Sequence, residues 1–197
     1  DSALTRNKTD RAAQDSLFSA VDRFVAAFPN TDLAKKALIQ KGRRASETKR
    51  WDAMAEAFRT YATMFPNDPY LPTAQRLVGD ALYKDGQYSQ AQQQWEQAQQ
   101  VAAASGRRAL ADSIGALRTA AAESYADSLI KRGQYKEAAE DVYVAFAKNN
   151  PNSPKAPDAL RNAIETYMLA DSVARRSNNQ GASREAGDRV IELSAEL

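Results

Sequence analysis

The chain uses one phrase twice. Residues 84–91 read Lys-Asp-Gly-Gln-Tyr-Ser-Gln-Ala, and residues 131–138 read Lys-Arg-Gly-Gln-Tyr-Lys-Glu-Ala. A second phrase, Phe28-Pro29-Asn30, returns 37 positions later as Phe65-Pro66-Asn67 and more loosely as Asn150-Pro151-Asn152. A period between about 20 and 50 residues marks a solenoid of stacked units, each burying its apolar face on the next. Such an architecture says how a chain binds, not what it binds.

The units read as helices. Alanine, leucine, glutamine, glutamate, lysine and arginine dominate, all good helix formers, and no stretch alternates convincingly. Pro29, Pro66 and Pro151 follow helix ends, and Thr31, Asp68 and Ser153 are placed to cap the helices that come next. Pro72 suits a first helical turn. Gly86 and Gly133 follow lysine-bearing helix ends, where a left-handed closing residue is wanted. The punctuation predicts helices over roughly 10–27, 32–47, 51–64, 71–85, 88–104, 107–132, 135–148, 155–176 and 182–196. Paired as antiparallel hairpins, they divide the single array into a half repeat over 10–30 and repeats over about 31–67, 68–104, 107–150 and 153–196.

The period breaks once. Tyr88 to Tyr135 spans 47 residues, against 37 from Trp51 to Tyr88, with no added loop composition. The extra ten therefore belong in longer helices around Ser105-Gly106, a hairpin extended by about one and a half turns per helix.

Packing positions recur with the period. One repeat carries Leu38, Gly42, Ala45, Met54, Phe58, Tyr61 and Pro66; the next carries Val78, Gly79, Leu82, Ala91, Trp95 and Ala98. A third carries Tyr125, Ala126, Leu129, Ala138, Val142 and Ala145. Small residues at the Gly42 and Gly79 positions let two helices approach, and Phe58 or Trp95 is expected to fill the groove between neighbouring repeats. Leu17, Val21, Phe24 and Pro29 match a second helix without its first. Leu160, Ala163 and Tyr167 open a fourth hairpin, closed by Ala186, Val190 and Leu193 after a polar connection, 177–181, expected to be long.

On these residues the chain resembles the tetratricopeptide repeat family over about residues 10–196. The phrases Phe-Pro-Asn and Gly-Gln-Tyr-x-x-Ala are similar to those of its periplasmic bacterial members, including those of the outer-membrane β-barrel assembly machinery and the Tol–Pal system. The resemblance implies an all-α, tetratricopeptide-like α-solenoid of antiparallel helix hairpins with a protein-scaffolding role. It implies a periplasmic or membrane-associated location in a bacterium; a cytoplasmic one stays open.

Composition narrows the chemistry. The 197 residues contain no histidine and no cysteine, which removes thiol nucleophiles, imidazole bases, disulfides and most zinc sites. Net charge is +2, and Arg43-Arg44, Lys49-Arg50, Arg107-Arg108 and Arg175-Arg176 are scattered pairs with acids nearby, not the basic stripe of a nucleic-acid binder. No apolar run approaches the ~20 residues of a membrane span, and no signal peptide is present. The chain opens Asp1-Ser2-Ala3 without methionine, which reads as a processed product or a fragment with further sequence upstream.

No catalytic, cofactor or metal constellation emerges. Ser105-Gly106-Arg107-Arg108 lacks the spacing of a phosphate loop. Glu137, Glu140 and Asp141 share a helix and read as a solvated face. Trp51 and Trp95 read as packing, the glutamine-rich run 87–100 as a helix with a wet face, and Asn7-Lys8-Thr9 as a chance sequon. The remaining candidates lie on the first helix of each hairpin, which lines the inner wall of a stacked array. They are Lys36, Ile39 and Arg43, then Arg76, Asp80, Tyr83 and Lys84, then Glu123, Asp127, Ile130 and Lys131, then Asp158, Arg161, Glu165 and Met168. The wall changes from basic to mixed or acidic, which suits a peptide or helix whose charges set its orientation. The expected function is a non-catalytic scaffold docking onto a larger, membrane-associated bacterial envelope complex through protein partners, without nucleic acid. The alternatives are a permanent structural subunit of a membrane assembly and a regulatory region of a longer protein.

Overall fold

The computed structural model describes the backbone of residues 2–151 and 153–197 and the side chains from residue 11 onward. Asn152 and the side chains of Asn7-Lys8-Thr9 lie outside the described residues. Among the described residues there are helices and turns and no strand. The order is α1 (Ser2–Ala27), α2 (Asp32–Glu47), α3 (Trp51–Met64), α4 (Leu71–Lys84), α5 (Tyr88–Ala104) and α6 (Arg108–Lys131). Then come α7 (Tyr135–Glu137), a π-helical segment (Ala138–Val144), α8 (Ala145–Asn149), α9 (Ala156–Arg176) and α10 (Gln180–Ser194). The ten extra residues sit where the spacing placed them: α5 has 17 residues and α6 has 24, against 14 each in α3 and α4.

The chain forms two compact units, Asp1–Ala116 and Leu117–Leu197. In the first, α1 packs on α2, α2 on α3, α3 on α4 and α4 on α5. In the second, α9 is the central element, packed by α7, the π-helical segment, α8 and α10.

Five interhelical turns close identically. Lys49, Gly86, Gly106, Gly133 and Asn178 each adopt positive φ between 55° and 82°. The amide after each donates back to a helix carbonyl: Arg50 to Ala45 (2.7 Å), Gln87 to Leu82 (2.9 Å), Arg107 to Ala102 (2.8 Å), Gln134 to Leu129 (2.9 Å) and Asn179 to Ala174 (2.9 Å). The left-handed residue donates to the carbonyl three back, completing the double closure that satisfies two orphan carbonyls per helix end. Lys49 does with a side chain what glycine does at Gly86 and Gly133, at a backbone cost of about 1 kcal/mol.

Packing at Gly42, Gly79 and Gly115 follows from complementary size, whereas a Cβ built on Gly187 meets nothing within 4 Å. Seven positions before the left-handed residue and nine after it stand Gly42/Phe58, Gly79/Trp95, Gln99/Gly115, Ala126/Val142 and Asp171/Gly187. One member of every pair is small. A Cβ built on Gly42 would come within 2.5 Å of the Phe58 ring, and one on Gly79 within 2.4 Å of Trp95. The aromatic rings therefore close on the glycine of their own hairpin, where the sequence pattern had put them between neighbouring repeats. Phe58 and Trp95 are each only 1% exposed.

Several local expectations are corrected. Thr31 caps α2, its hydroxyl accepting from the Ala34 amide at 3.1 Å. Asp68 and Ser153 do not cap α4 and α9; they accept from the Tyr70 (2.8 Å) and Lys155 (3.2 Å) amides, shaping the turn ahead of each helix. Each precedes a proline, Pro69 or Pro154, which disfavours the helical region and delays the helix start. The 177–181 connection is no longer than the others, because Asn179 caps α10 through the Ala182 amide and Gly181 is already helical. Leu17 is exposed; α1 packs through Phe18 and Val25 instead. Trp51 is only half-buried. In the third hairpin the π-helical segment admits an extra residue and turns the buried face, so Tyr143, Val144 and Ala147 are buried and Ala145 is only half-buried.

One charged side chain is buried where the period asks for an apolar one. Lys41 occupies the position of Val78 and Tyr125 and is 3% exposed. Its ammonium meets Asp22 at 2.6 Å and Glu56 at 3.4 Å, and lies 5.9 Å from the centre of the Phe18 ring. Arg50 approaches the same ring at 5.9 Å and pairs with Asp15 at 2.8 Å, so two cations and two carboxylates fasten α1 down.

Glycine-to-alanine substitutions are expected to split in sign. Gly79→Ala, which drives a methyl into Trp95, should cost about 1–3 kcal/mol. Gly187→Ala, whose new methyl meets nothing within 4 Å inside α10, should gain up to about 1 kcal/mol of helix propensity. Urea denaturation of the two variants checks both.

Candidate functional site

The positions singled out on α2 and α4 fall into two groups. Lys36 and Arg43 are exposed and form no ion pair with any described residue, and Ile39 between them is half-buried. Arg76 and Asp80, by contrast, are occupied internally. Asp80 pairs with Arg76 and accepts the Trp95 indole N–H at 2.8 Å, while the same N–H reaches the Arg76 carbonyl at 3.1 Å. Burial pushes the Asp80 carboxyl above the usual carboxylate range, against the pull of Arg76, the Trp95 indole and Lys84. Tyr83 packs its ring on Trp95 with centroids 5.6 Å apart and on Tyr88 at 6.5 Å. Of the α4 set, only Lys84 is exposed and without an ion pair among the described residues. Reversing the charge of Arg76 would thus disturb the ring contact that sets the α4–α5 packing, and Arg76 is unsuited to report on binding.

Arg43 and Arg76 converge electrostatically on Tyr70, a half-buried residue just before α4. Burial raises its phenol while both guanidiniums pull it down. The loop that presents Tyr70 is fixed by Asp68, which takes the Lys35 ammonium at 2.7 Å as well as the Tyr70 amide. Those bonds, Lys35 first, hold the Asp68 carboxyl below its usual range.

In the second unit the candidates also divide. Asp158 pairs with Arg161 and more loosely with Lys155 at 3.8 Å. Lys131 and Met168 are exposed, and Ile130 is half-buried. Glu123 and Asp127 on α6 and Glu165 on α9 are exposed, and none forms an ion pair with a described residue. All three act on Tyr143 of the π-helical segment: burial pushes its phenol up first, and Asp127, Glu123 and Glu165 push it further. A slot lined by Ala122, Glu123, Tyr143, Phe146, Lys155, Asp158 and Ala159 among others opens between α6, the π-helical segment, α8 and α9.

Glu140 corrects the solvated-face expectation for the acids of this segment. It is half-buried, accepts the Tyr167 hydroxyl at 2.8 Å, and takes the Arg189 guanidinium at 2.5–2.8 Å. Glu137 and Asp141 are exposed as expected. Glu140 thus joins the π-helical segment, α9 and α10 as Asp80 joins α4 and α5. Burial and the Glu140 contact push the Tyr167 phenol up to about 12.

Tyr70 and Tyr143 carry no sequence signal of their own. Tyr143 reaches the slot because of the π-helical residue, which no composition rule announces. Lys41 was detectable, since the repeat aligns it with Val78 and Tyr125.

Among the described residues no group of three or more carboxylates gathers closely enough to hold one metal ion, and no helix is long and apolar enough to cross a membrane. No family model matches the chain. No curated protein matches it.

The Tyr167–Glu140 contact gives an alkaline signature. The folded phenol titrates near 12 and the unfolded one near 10, so its stabilisation is complete below about pH 10 and lost as pH rises through 12. Tyr167→Phe should cost about 1 kcal/mol at pH 7 and flatten that alkaline loss relative to wild type, as read by urea unfolding across the range.

Proposed function

We propose that the chain is a non-catalytic protein–protein interaction scaffold, a tetratricopeptide-like α-solenoid of antiparallel helix hairpins that docks onto a larger complex of the bacterial envelope. The observation that carries this reading is the contrast between paired and unpaired charges. Arg76, Asp80, Asp158 and Arg161 pair with one another, whereas Lys36, Arg43, Lys84, Glu123, Asp127 and Glu165 stay exposed without ion pairs among the described residues. They stand on helices whose turns and ring contacts are already fixed. A preformed surface loses little ordering entropy on binding, and unpaired charges of defined sign set the orientation of a partner. The envelope assignment rests on the resemblance of the Phe-Pro-Asn and Gly-Gln-Tyr-x-x-Ala phrases to periplasmic members of the repeat family.

A second reading, a permanent structural subunit of a membrane assembly, draws on the large apolar side chains left open. Leu17, Phe28 and Leu33 are 51–63% exposed in the first unit, and Ile191 is 72% exposed in the second. Obligate interfaces are larger and more apolar than exchangeable ones.

Purification of the native protein from its source membranes in mild detergent, with lysine crosslinking and mass spectrometry, tests the reading. One defined complex in stoichiometric amount is expected, crosslinked through Lys36, Lys84 or Lys131. A variant carrying Lys36→Glu, Arg43→Glu and Lys84→Glu should lose that complex while its unfolding midpoint stays unchanged. Recovery of many substoichiometric proteins, or of none, would contradict it.

A further inference from the structure

We propose that the slot in front of Tyr143 binds an arginine side chain of a partner peptide, an assignment that rests on the scaffold reading above. The slot offers an acceptor that the protein leaves unused. Tyr143 is 9% exposed, and its hydroxyl has no hydrogen-bond partner among the described residues. Its oxygen is not sealed in: the one side-chain atom both enclosed and unbonded among the described residues is Gln75 Oε1 in the other unit. Buried hydroxyls are as a rule bonded. Here Tyr143 lines the slot, and its oxygen is open to a donor from outside.

The charge around that acceptor is only partly compensated. Glu123 and Asp127 stand four positions apart on α6, so two like charges face one another across one helical turn, an arrangement that costs stability. The aligned positions in the first unit hold Arg76 and Asp80, which neutralise each other. In the second unit the basic member is replaced by a second acid. Glu165 adds a third carboxylate from α9, and all three bear on the phenol. The basic groups closest by, Lys155 and Arg161, share the single carboxylate Asp158 and leave one positive charge against these three carboxylates.

The shape selects the cation. The carboxylates do not converge on one point closely enough to ligate a metal ion, which suits a cation whose charge is spread out. A guanidinium has five donors in a planar fork and can serve separated acceptors together; an ammonium is a single compact point. Ala122, Phe146 and Ala159 give the slot apolar lining for the methylene stem of a long basic side chain. An arginine side chain is therefore the ligand chemistry that fits, with the head on Glu123 and the Tyr143 oxygen.

A fluorescein-labelled peptide of alternating arginine and leucine, and its twin with citrulline for arginine, test this by anisotropy titration of the full chain. Wild type should bind the arginine peptide and not the citrulline one. Tyr143→Phe, which changes no charge, should weaken binding about threefold to tenfold, and Glu123→Gln with Glu165→Gln by more than about tenfold. Lys36→Glu with Lys84→Glu, in the other unit, should not weaken it. Equal affinity for both peptides, or arginine-peptide affinity untouched by Tyr143→Phe and by the glutamine pair, would overturn the assignment. Tyr143→Phe keeps the ring and removes a hydroxyl without a partner, so it should fold; its circular dichroism and unfolding midpoint verify this. The scaffold reading fails separately. If the membrane preparation yields the same complex with wild type and with the Glu123→Gln/Glu165→Gln variant, the slot assignment falls while the scaffold stands. If it yields none with either, the scaffold reading falls.

Discussion

The contact on which the rest of the structure depends is a large ring laid on a residue with no side chain. Phe58 on Gly42 and Trp95 on Gly79 bring the backbones of paired helices close enough for the turn between them to close in three residues. The double hydrogen bond at the turn then fixes where the second helix starts, and hence which of its residues face inward. Size complementarity is kept at two turns where the aromatic is gone, though not at the Asn178 turn, where Gly187 is open. Ala126 and Val142 are both buried at the same two positions, and the pair is inverted to Gln99 and Gly115 at the Gly106 turn. Interiors packed to crystal-like density tolerate little volume change, so the small partner is as constrained as the large one.

The polar networks follow from that contact. Trp95 cannot be buried without a partner for its indole N–H, and Asp80 supplies it. Asp80 in turn needs a cation at its depth, and Arg76 supplies that. Glu140 does the same for Tyr167 in the second unit, with Arg189 as the cation. Each chain of demands removes surface residues from the pool that could meet a partner. What is left over is the more informative set: Lys36, Arg43 and Lys84 in one unit, and Glu123, Asp127 and Glu165 in the other.

Much of the fold could be read from sequence because turns and periods are local. Pro66, Gly86 and Gly133 mark helix ends by backbone geometry alone, so nearly every helix boundary falls within a few residues of its expected place. Asp68 and Ser153 misled because the proline after each outranks the capping tendency of the residue before it. Leu17 misled because the repeat pattern gives the face a helix would bury against two neighbours, while α1 packs on α2 through Phe18 and Val25. The site was harder to see. Arg76 and Asp80 look like surface charges until the third member of the network, 15 residues further on, is placed beside them. Tyr143 depends on a helical irregularity that arises from packing, and nothing in Val142-Tyr143-Val144 announces it.

The central claim is that ring and small residue are one unit, each setting the size of the other. A double-mutant cycle at Gly79 and Trp95 measures this directly, with Gly79→Ala and Trp95→Val made singly and together to reproduce the Ala126/Val142 pair in the α4–α5 hairpin. Urea unfolding should show that alanine at 79 is costly beside tryptophan and nearly free beside valine, a coupling of about 1–3 kcal/mol. An equal cost of Gly79→Ala in both backgrounds would mean that the ring and the glycine act independently, and would contradict the account.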